Sequence, residues 1–294
     1  MMVALTGYVI FAVTVRLLSR HLSFAEICAL RAIGASFVCL LVAARTRSVL
    51  LEIRYIQIAP HLLRSSLHVL GTLAIVLGLV FVPFGVTTAL EFTGPIFATL
   101  IVFLVYRAAP SAISFVGLVI IFGGASLMIL SQYEASGLVL LLPVAGTLIL
   151  TCTNMMLRPL VRRNSFLAVL LLMNLIQVPI YCLVSLFFPH KPLDLAWSGL
   201  DVLAAIGLSV SGLMTQLALA KATRFGSDLQ ISALDTLRIP AVAFVAYLVF
   251  AETLGPITIS EIGLIIIGAI IVAAGRLNRT RQLQAAQGLS EIAS

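Results

Sequence analysis

The run VPFGVTTALEFTGPIFATL (82–100) is apolar, yet it carries a carboxylate, Glu91, and a proline, Pro95, at its middle. The run ALDTLRIPAVAFVAYLVFAETLGP (233–256) repeats the plan, with Asp235 and Arg238 ahead of Pro240. The pattern extends outward in both copies. Each has a small-residue lead-in (Phe84-Gly85 and Phe225-Gly226), a polar run, a mid-segment proline, an apolar run and a charged exit. The exits are Arg107 and Glu252, each followed by a further apolar segment that includes Gly117 or Gly263. The two prolines lie 145 positions apart in a chain of 294. Duplicated apolar units whose helices are interrupted at polar residues predict a membrane protein built from two repeats.

Composition points the same way. Hydrophobic residues make up 61% of the chain and charged residues 10%, with a mean hydropathy of +1.18. Soluble domains carry about 25% charged residues, so a water-soluble core is excluded. The net charge of +7 does not indicate nucleic-acid binding, because the basic residues are scattered singly between apolar runs and form no stripe. Cys28, Cys39, Cys152 and Cys182 each lie in an apolar run without CxxC or histidine spacing, and read as small buried residues. Neither a metal nor another cofactor is expected. The N-terminal segment reads as a first spanning helix with a very short lead-in, not as a cleaved signal peptide.

A crossing helix needs about 20 apolar residues. Ten such segments are predicted, at 2–18, 26–44, 62–82, 84–105, 111–131, 137–157, 166–188, 198–219, 228–250 and 256–275. With the N-terminus inside, thirteen Lys and Arg fall on the cytoplasmic side and three, Arg16, Arg20 and Lys191, on the other. That asymmetry places both termini in the cytoplasm. Five spans per repeat is odd, so the second repeat enters from the opposite face. The expected fold is an all-α membrane protein of ten transmembrane helices in two inverted five-helix repeats, 1–132 and 133–275, with a polar cytoplasmic tail, 276–294.

Ionisable groups inside a bilayer are costly and persist where they face a cavity or a partner. Glu91 shares a helical face with Thr87, Thr88 and Pro95 by spacing. It reads either as a cavity carboxylate for a cation, an amine or a proton, or as the partner of a neighbouring arginine. Asp235 and Arg238 are spaced to pair, as a neutral clip or as a zwitterionic patch for a solute. Arg31 stays charged. It requires a carboxylate, for which Glu91 and Asp235 are the deep candidates, or it anchors a substrate carboxylate or phosphate. Arg64, His68 and Gly71 form a stripe in which His68 is a packing residue or a proton relay and Arg64 snorkels to the headgroups. Asn154 and Arg158, the face formed by Asn174, Gln177 and Tyr181, and Gln216 complete the polar set. Trp197 reads as an interfacial anchor.

These residues carry a resemblance. Glu26-Ile27 with Leu30-Arg31, the run 82–100, the run 233–256 and IGLIIIGAIIVAAG (262–275) together resemble the drug/metabolite transporter superfamily, in particular its EamA-type members. The resemblance covers nearly the whole chain. It implies ten spans, an inverted repeat and transport of a small metabolite; relatives handle S-adenosylmethionine, riboflavin or amino acids. Such relatives commonly close each proline-bearing helix with Gly-Glu. Here the second copy has Ala251-Glu252 and the first Tyr106-Arg107, a charge reversal.

The expected function is therefore secondary transport across a bacterial-type cytoplasmic (inner) membrane. The expected partners are a small-molecule solute and lipid, and no nucleic acid, with the protein a monomer or homodimer. No P-loop is present, so energy comes from the solute gradient, an ion or proton gradient, or exchange. An intramembrane enzyme is the first alternative class, but the chain lacks HExxH and GxGD motifs, and its nearest serine motif, Gly207-Leu208-Ser209-Val210, lacks the closing glycine. A non-transporting receptor or assembly subunit is the second, and it would not need matched interrupted helices. The substrate-binding set expected from sequence is Arg31, His68, Glu91, Asn154, Gln177, Gln216, Asp235 and Arg238.

Overall fold

A computed structural model describes residues 2–45, 47–107, 109–188, 197–225, 241, 244–245, 247–249 and 255–292. The ninth predicted span, with Asp235, Arg238, Pro240 and Glu252, lies almost wholly outside these residues, as does the side chain of Arg158.

The described chain is helical: α1 (Met2–Leu18), α2 (Phe24–Arg45), α3 (Arg47–Ile53), α4 (Ile58–Phe81), α5 (Phe84–Glu91), α6 (Gly94–Tyr106), α7 (Ala112–Ser136), a 3-10 turn (Gly137–Leu140), α8 (Leu141–Arg163), α9 (Phe166–Phe187), α10 (Gly199–Phe225) and α11 (Pro256–Ile292). Eight helical spans among the described residues are long and apolar enough to cross a membrane, and α1 is a shorter apolar helix. The protein is therefore a multi-pass membrane protein. Helix bounds are set locally. Ser23 and Glu26 form a reciprocal capping box at the start of α2, the serine oxygen accepting from the Glu26 amide at 3.3 Å and the carboxylate from the Ser23 amide at 2.7 Å. Ser198 and Asp201 do the same for α10, and Ser111 and Ser165 cap α7 and α9.

One boundary differs from the sequence reading: the segment expected as a loop after α2 contains the short helix α3. The polar tail, read from sequence as a solvated helix or a disordered segment, is helical as a continuation of α11, which runs to Ile292. The fourth span is not one rod: α5 stops at Glu91, Phe92 and Thr93 turn, and α6 starts at Gly94. Pro95 explains the break, since it has no N–H to offer the Glu91 carbonyl four residues back. Thr87, Thr88, Glu91 and Pro95 accordingly do not share one continuous face. The Thr87 hydroxyl donates to the Gly78 carbonyl at 3.1 Å and the Thr88 hydroxyl to the Phe84 carbonyl at 3.0 Å.

Four helix pairs build the bundle: α1 with α10, α2 with α9, α4 with α8, and α7 with α11. In lipid the apolar effect does not drive helices together, so close backbone approach at small residues does. Gly7 of α1 faces Ser211 and Thr215 of α10, while Gly207 of α10 faces Ile10 and Thr14 of α1. Gly71 of α4 and Gly146 of α8 meet backbone to backbone, as do Gly117 of α7 and Gly268 of α11. The partners run in opposite directions, because rising numbers on one helix meet falling numbers on the other. Large apolar side chains point outward around the bundle, among them Phe37, Leu104, Phe122, Leu130, Leu186 and Phe187. Cys182 is exposed on the outer face of α9, and Cys152 is half-buried, so only Cys28 and Cys39 are the buried residues expected from sequence. The outer face is lipid-directed, so an apolar thiol there needs no core.

Candidate functional site

Polar side chains gather where α2 and α4 of the first half meet α9 and α10 of the second. Arg31 of α2 is 6% exposed and donates from Nη2 to Gln177 Oε1 of α9 at 3.3 Å. Gln177 in turn donates from Nε2 to His68 Nδ1 of α4 at 3.1 Å, and the Thr72 hydroxyl lies 3.1 Å from the same nitrogen. The network joins three helices through one amide, whose two ends serve a cation on one side and an imidazole on the other. Arg64 of α4 is 1% exposed. Its Nε donates to the Thr153 carbonyl of α8 at 3.1 Å, and its Nη1 lies 3.1 Å from the Met173 sulfur of α9. Asn174 and Tyr181 are buried beside them. The helical spacing of 174, 177 and 181 places all three on the inner face of α9.

A crevice opens on this cluster, lined by Arg31, Asn174, Gly212, Leu213 and Gln216 among others, and too tight for a water molecule. Gly212 allows it: a Cβ there would stand 3.3 Å from Arg31 Nη1.

The residues expected from sequence divide accordingly. Arg31, His68 and Gln177 come together, with Gln216 on the crevice wall. Asn154 is exposed on α8, while its neighbour Thr153 faces inward to Arg64. Glu91 is partly buried and accepts a short hydrogen bond from the Tyr8 hydroxyl of α1. Asp235 and Arg238 lie outside the described residues.

Arg31 does not meet Glu91, one of its two candidate carboxylates: it donates to the neutral Gln177, while Glu91 ends α5 and turns to Tyr8, and the other candidate, Asp235, lies outside the described residues. One expectation is corrected. Arg64 does not snorkel, because α8 and α9 cover its face of α4. Trp197 packs partly buried against the core cluster around α1 and α2.

Several contributors were not singled out from sequence. Tyr8, Thr72 and Met173 look like ordinary helix residues until their partners are known. Arg16 was counted as a loop cation. It donates to the Leu79 carbonyl at 2.8 Å and the Val82 carbonyl at 3.2 Å, at the C-terminal end of α4. Glu261 of α11 is 4% exposed and accepts from the Ser131 hydroxyl of α7 at 3.0 Å. A carboxylate five residues into a spanning segment was a readable signal, as was the serine-bearing face opposite it.

Long apolar helices packed through glycines around a dry polar centre define a multi-pass helical membrane protein. Residues 1–130 match the model of the EamA-like transporter family. Over that stretch, which is less than half of the chain, the sequence is similar to this family. No curated protein matches the chain.

Proposed function

We propose that the protein is a secondary transporter that moves a small organic metabolite across the cytoplasmic membrane by alternating access, between two inverted repeats at about 1–132 and 133–275. The observation that carries this reading is the position of the Arg31–Gln177–His68 network, made by helices of both halves and buried between them. Midplane sites at a repeat interface, served by discontinuous helices, are how such transporters bind.

The pairing of helices supports the repeat. Numbered as spans, the pairs are one with eight, two with seven, three with six, and five with ten. Adding five to each member of one half and subtracting five from the other returns the same set of pairs, as a two-fold axis between repeats requires. The break between α5 and α6 supplies the discontinuous helix of the first half, and Pro240 marks the matching position in the second. Contacts between loops agree with one topology. His21 lies 3.6 Å from Asp201, joining the α1–α2 and α9–α10 connections. The Ser165 amide donates to the Glu52 carboxylate, joining the α3 region to the α8–α9 connection. The lysine and arginine distribution places the first pair outside and the second inside. The membrane is then a bacterial inner membrane with both termini cytoplasmic, and the protein works as a monomer or homodimer. Glu91 and Asp235 are the candidate carboxylates for proton or ion coupling, and Arg238, three positions after Asp235 in the sequence, is a candidate for substrate binding. The substrate is S-adenosylmethionine-, riboflavin- or amino-acid-like.

The test is uptake of a solute panel into proteoliposomes holding the full chain, with pH gradients imposed in both senses. Saturable uptake of one solute class, sensitive to the gradient, is expected. Absence of uptake or exchange for every solute in both orientations would overturn transport. An intramembrane enzyme is disfavoured because the buried cluster holds no serine–histidine or paired-aspartate arrangement among the described residues.

A further inference from the structure

Among the described residues, which do not include Asp235, the charges at the centre do not balance. Arg31 and Arg64 are each more than nine-tenths buried, on neighbouring helices around His68. A guanidinium has five N–H donors and cannot shed its charge. Arg31 spends one donor on a neutral amide at the long distance of 3.3 Å, and its Nε finds no acceptor among the described residues. Arg64 spends one on a backbone carbonyl and one on a thioether, a weak acceptor, and its Nη2 finds none. No ion pair to either arginine is present among the described residues. The carboxylates nearest in sequence are engaged elsewhere, Glu26 in its capping box and Glu91 with Tyr8.

Burying a guanidinium without an anion is among the most costly arrangements a fold can hold, and lipid on the outer side makes it more so. A structural role would show a carboxylate or a full set of carbonyls closing each fork. Instead, Arg31 lies on the wall of the crevice with Asn174 and Gln216, beside the space that Gly212 leaves clear. The Asn174 Oδ1 in the same cluster also lacks a partner among the described residues. The planar fork of arginine matches a carboxylate or phosphate in a bidentate manner.

We propose that the transported solute carries a carboxylate or phosphate group, and that Arg31 receives it in the crevice between α2, α9 and α10. This rests on the transport reading above and names its substrate class. Arg64 stands behind Met173, so it supplies positive potential without touching the solute. Asn174 and Gln216 address the solute's neutral polar groups. The anion completes the charge balance of the centre, so the loaded site is more stable than the empty one. Opening the crevice to either side then exposes a cationic site that favours anionic solutes over neutral analogues of the same shape.

Two measurements on the full chain test this. The first is thermal unfolding of the detergent-purified protein in acetate or inorganic phosphate, against chloride at equal ionic strength. At about ten times the dissociation constant, wild type should gain roughly 3 °C, and Arg31→Gln should gain nothing. Arg31→Lys, which keeps the charge and loses the fork, should gain less than wild type and serves as the folding control. The second is competition in proteoliposomes between matched solutes, an amino acid against its amide and a nucleoside monophosphate against its nucleoside. Wild type should prefer the anionic member by at least about tenfold, a modest share of what a desolvated charge pair discriminates, and Arg31→Gln should lose that preference. Equal stabilisation of wild type and Arg31→Gln, or preference for neutral or cationic members, overturns the anion site while leaving transport standing. Arg31-dependent stabilisation by these anions with no uptake of any solute leaves the anion site standing and overturns transport.

Discussion

At the scale of single residues, what matters is which polar group answers which. Glu91 is held by the Tyr8 hydroxyl at the point where the fourth span breaks, so it stands where a helix end can move. Replacement of Glu91 by Gln should abolish uptake without loss of membrane expression, whereas Tyr8→Phe should lower unfolding stability by about 1 kcal/mol. Uptake by both Glu91→Gln and Asp235→Asn at wild-type rates would remove the coupling role assigned to these carboxylates. Arg107 carries a different lesson. It closes α6 with φ 54° and ψ 24°, its amide donating to the Phe103 carbonyl at 2.9 Å. That left-handed conformation favours glycine. Replacing Arg107 by Gly should therefore stabilise the protein by about 0.5–1 kcal/mol in a denaturation assay. A neutral or negative result would mean that the arginine side chain contributes an interaction of its own.

At the scale of elements, helix association is governed by how closely backbones approach. A Cβ built at Gly268 would stand 2.8 Å from the Gly117 carbonyl and 2.8 Å from the Ile121 amide, and one at Gly117 would stand 2.7 Å from the Gly268 carbonyl. Backbone cannot give way as the tip of a side chain does. Gly268→Ala should therefore separate α7 from α11 and cost about 1–3 kcal/mol, read as a fall in melting temperature. Gly123→Ala is the control, since a Cβ at Gly123 meets nothing within 4 Å and its exchange should be neutral or slightly stabilising. Equal effects at both positions would show that helix propensity, not close approach, governs this pair. The Ser131–Glu261 hydrogen bond lies at the same interface and ties the far end of the pair.

At the scale of the whole molecule, the arrangement requires that the two loop clusters lie on opposite sides of the membrane. In a background without the four native cysteines, His21→Cys should react with an impermeant thiol reagent from outside the cell, and Ser165→Cys only after permeabilisation. Labelling of both from one side would break the ten-span topology. The α1–α10 pairing makes a companion prediction: cysteines at positions 7 and 215, where a Cβ at Gly7 would lie 2.6 Å from the Thr215 hydroxyl oxygen, should cross-link under mild oxidation.

The amino-acid sequence by itself determined the membrane class, the position of the spans that the described residues cover and the place where the fourth span breaks. Each depends on features local in the chain: about 20 apolar residues in a row, a capping serine, a proline without an N–H. The stripe of Arg64 and His68 and the inner face of α9 were legible for the same reason, since helical spacing alone sets them. Only the tertiary structure decided the partners. Arg31 is 146 positions from Gln177, and Tyr8 is 83 from Glu91, distances over which periodicity carries no information. Counting charges suggested that a buried arginine must meet a buried carboxylate. Helix packing set α2 against α9 instead, leaving two cations at the centre without an anion among the described residues, because backbone contact at small residues fixes which helices meet and the polar groups take the neighbours that result.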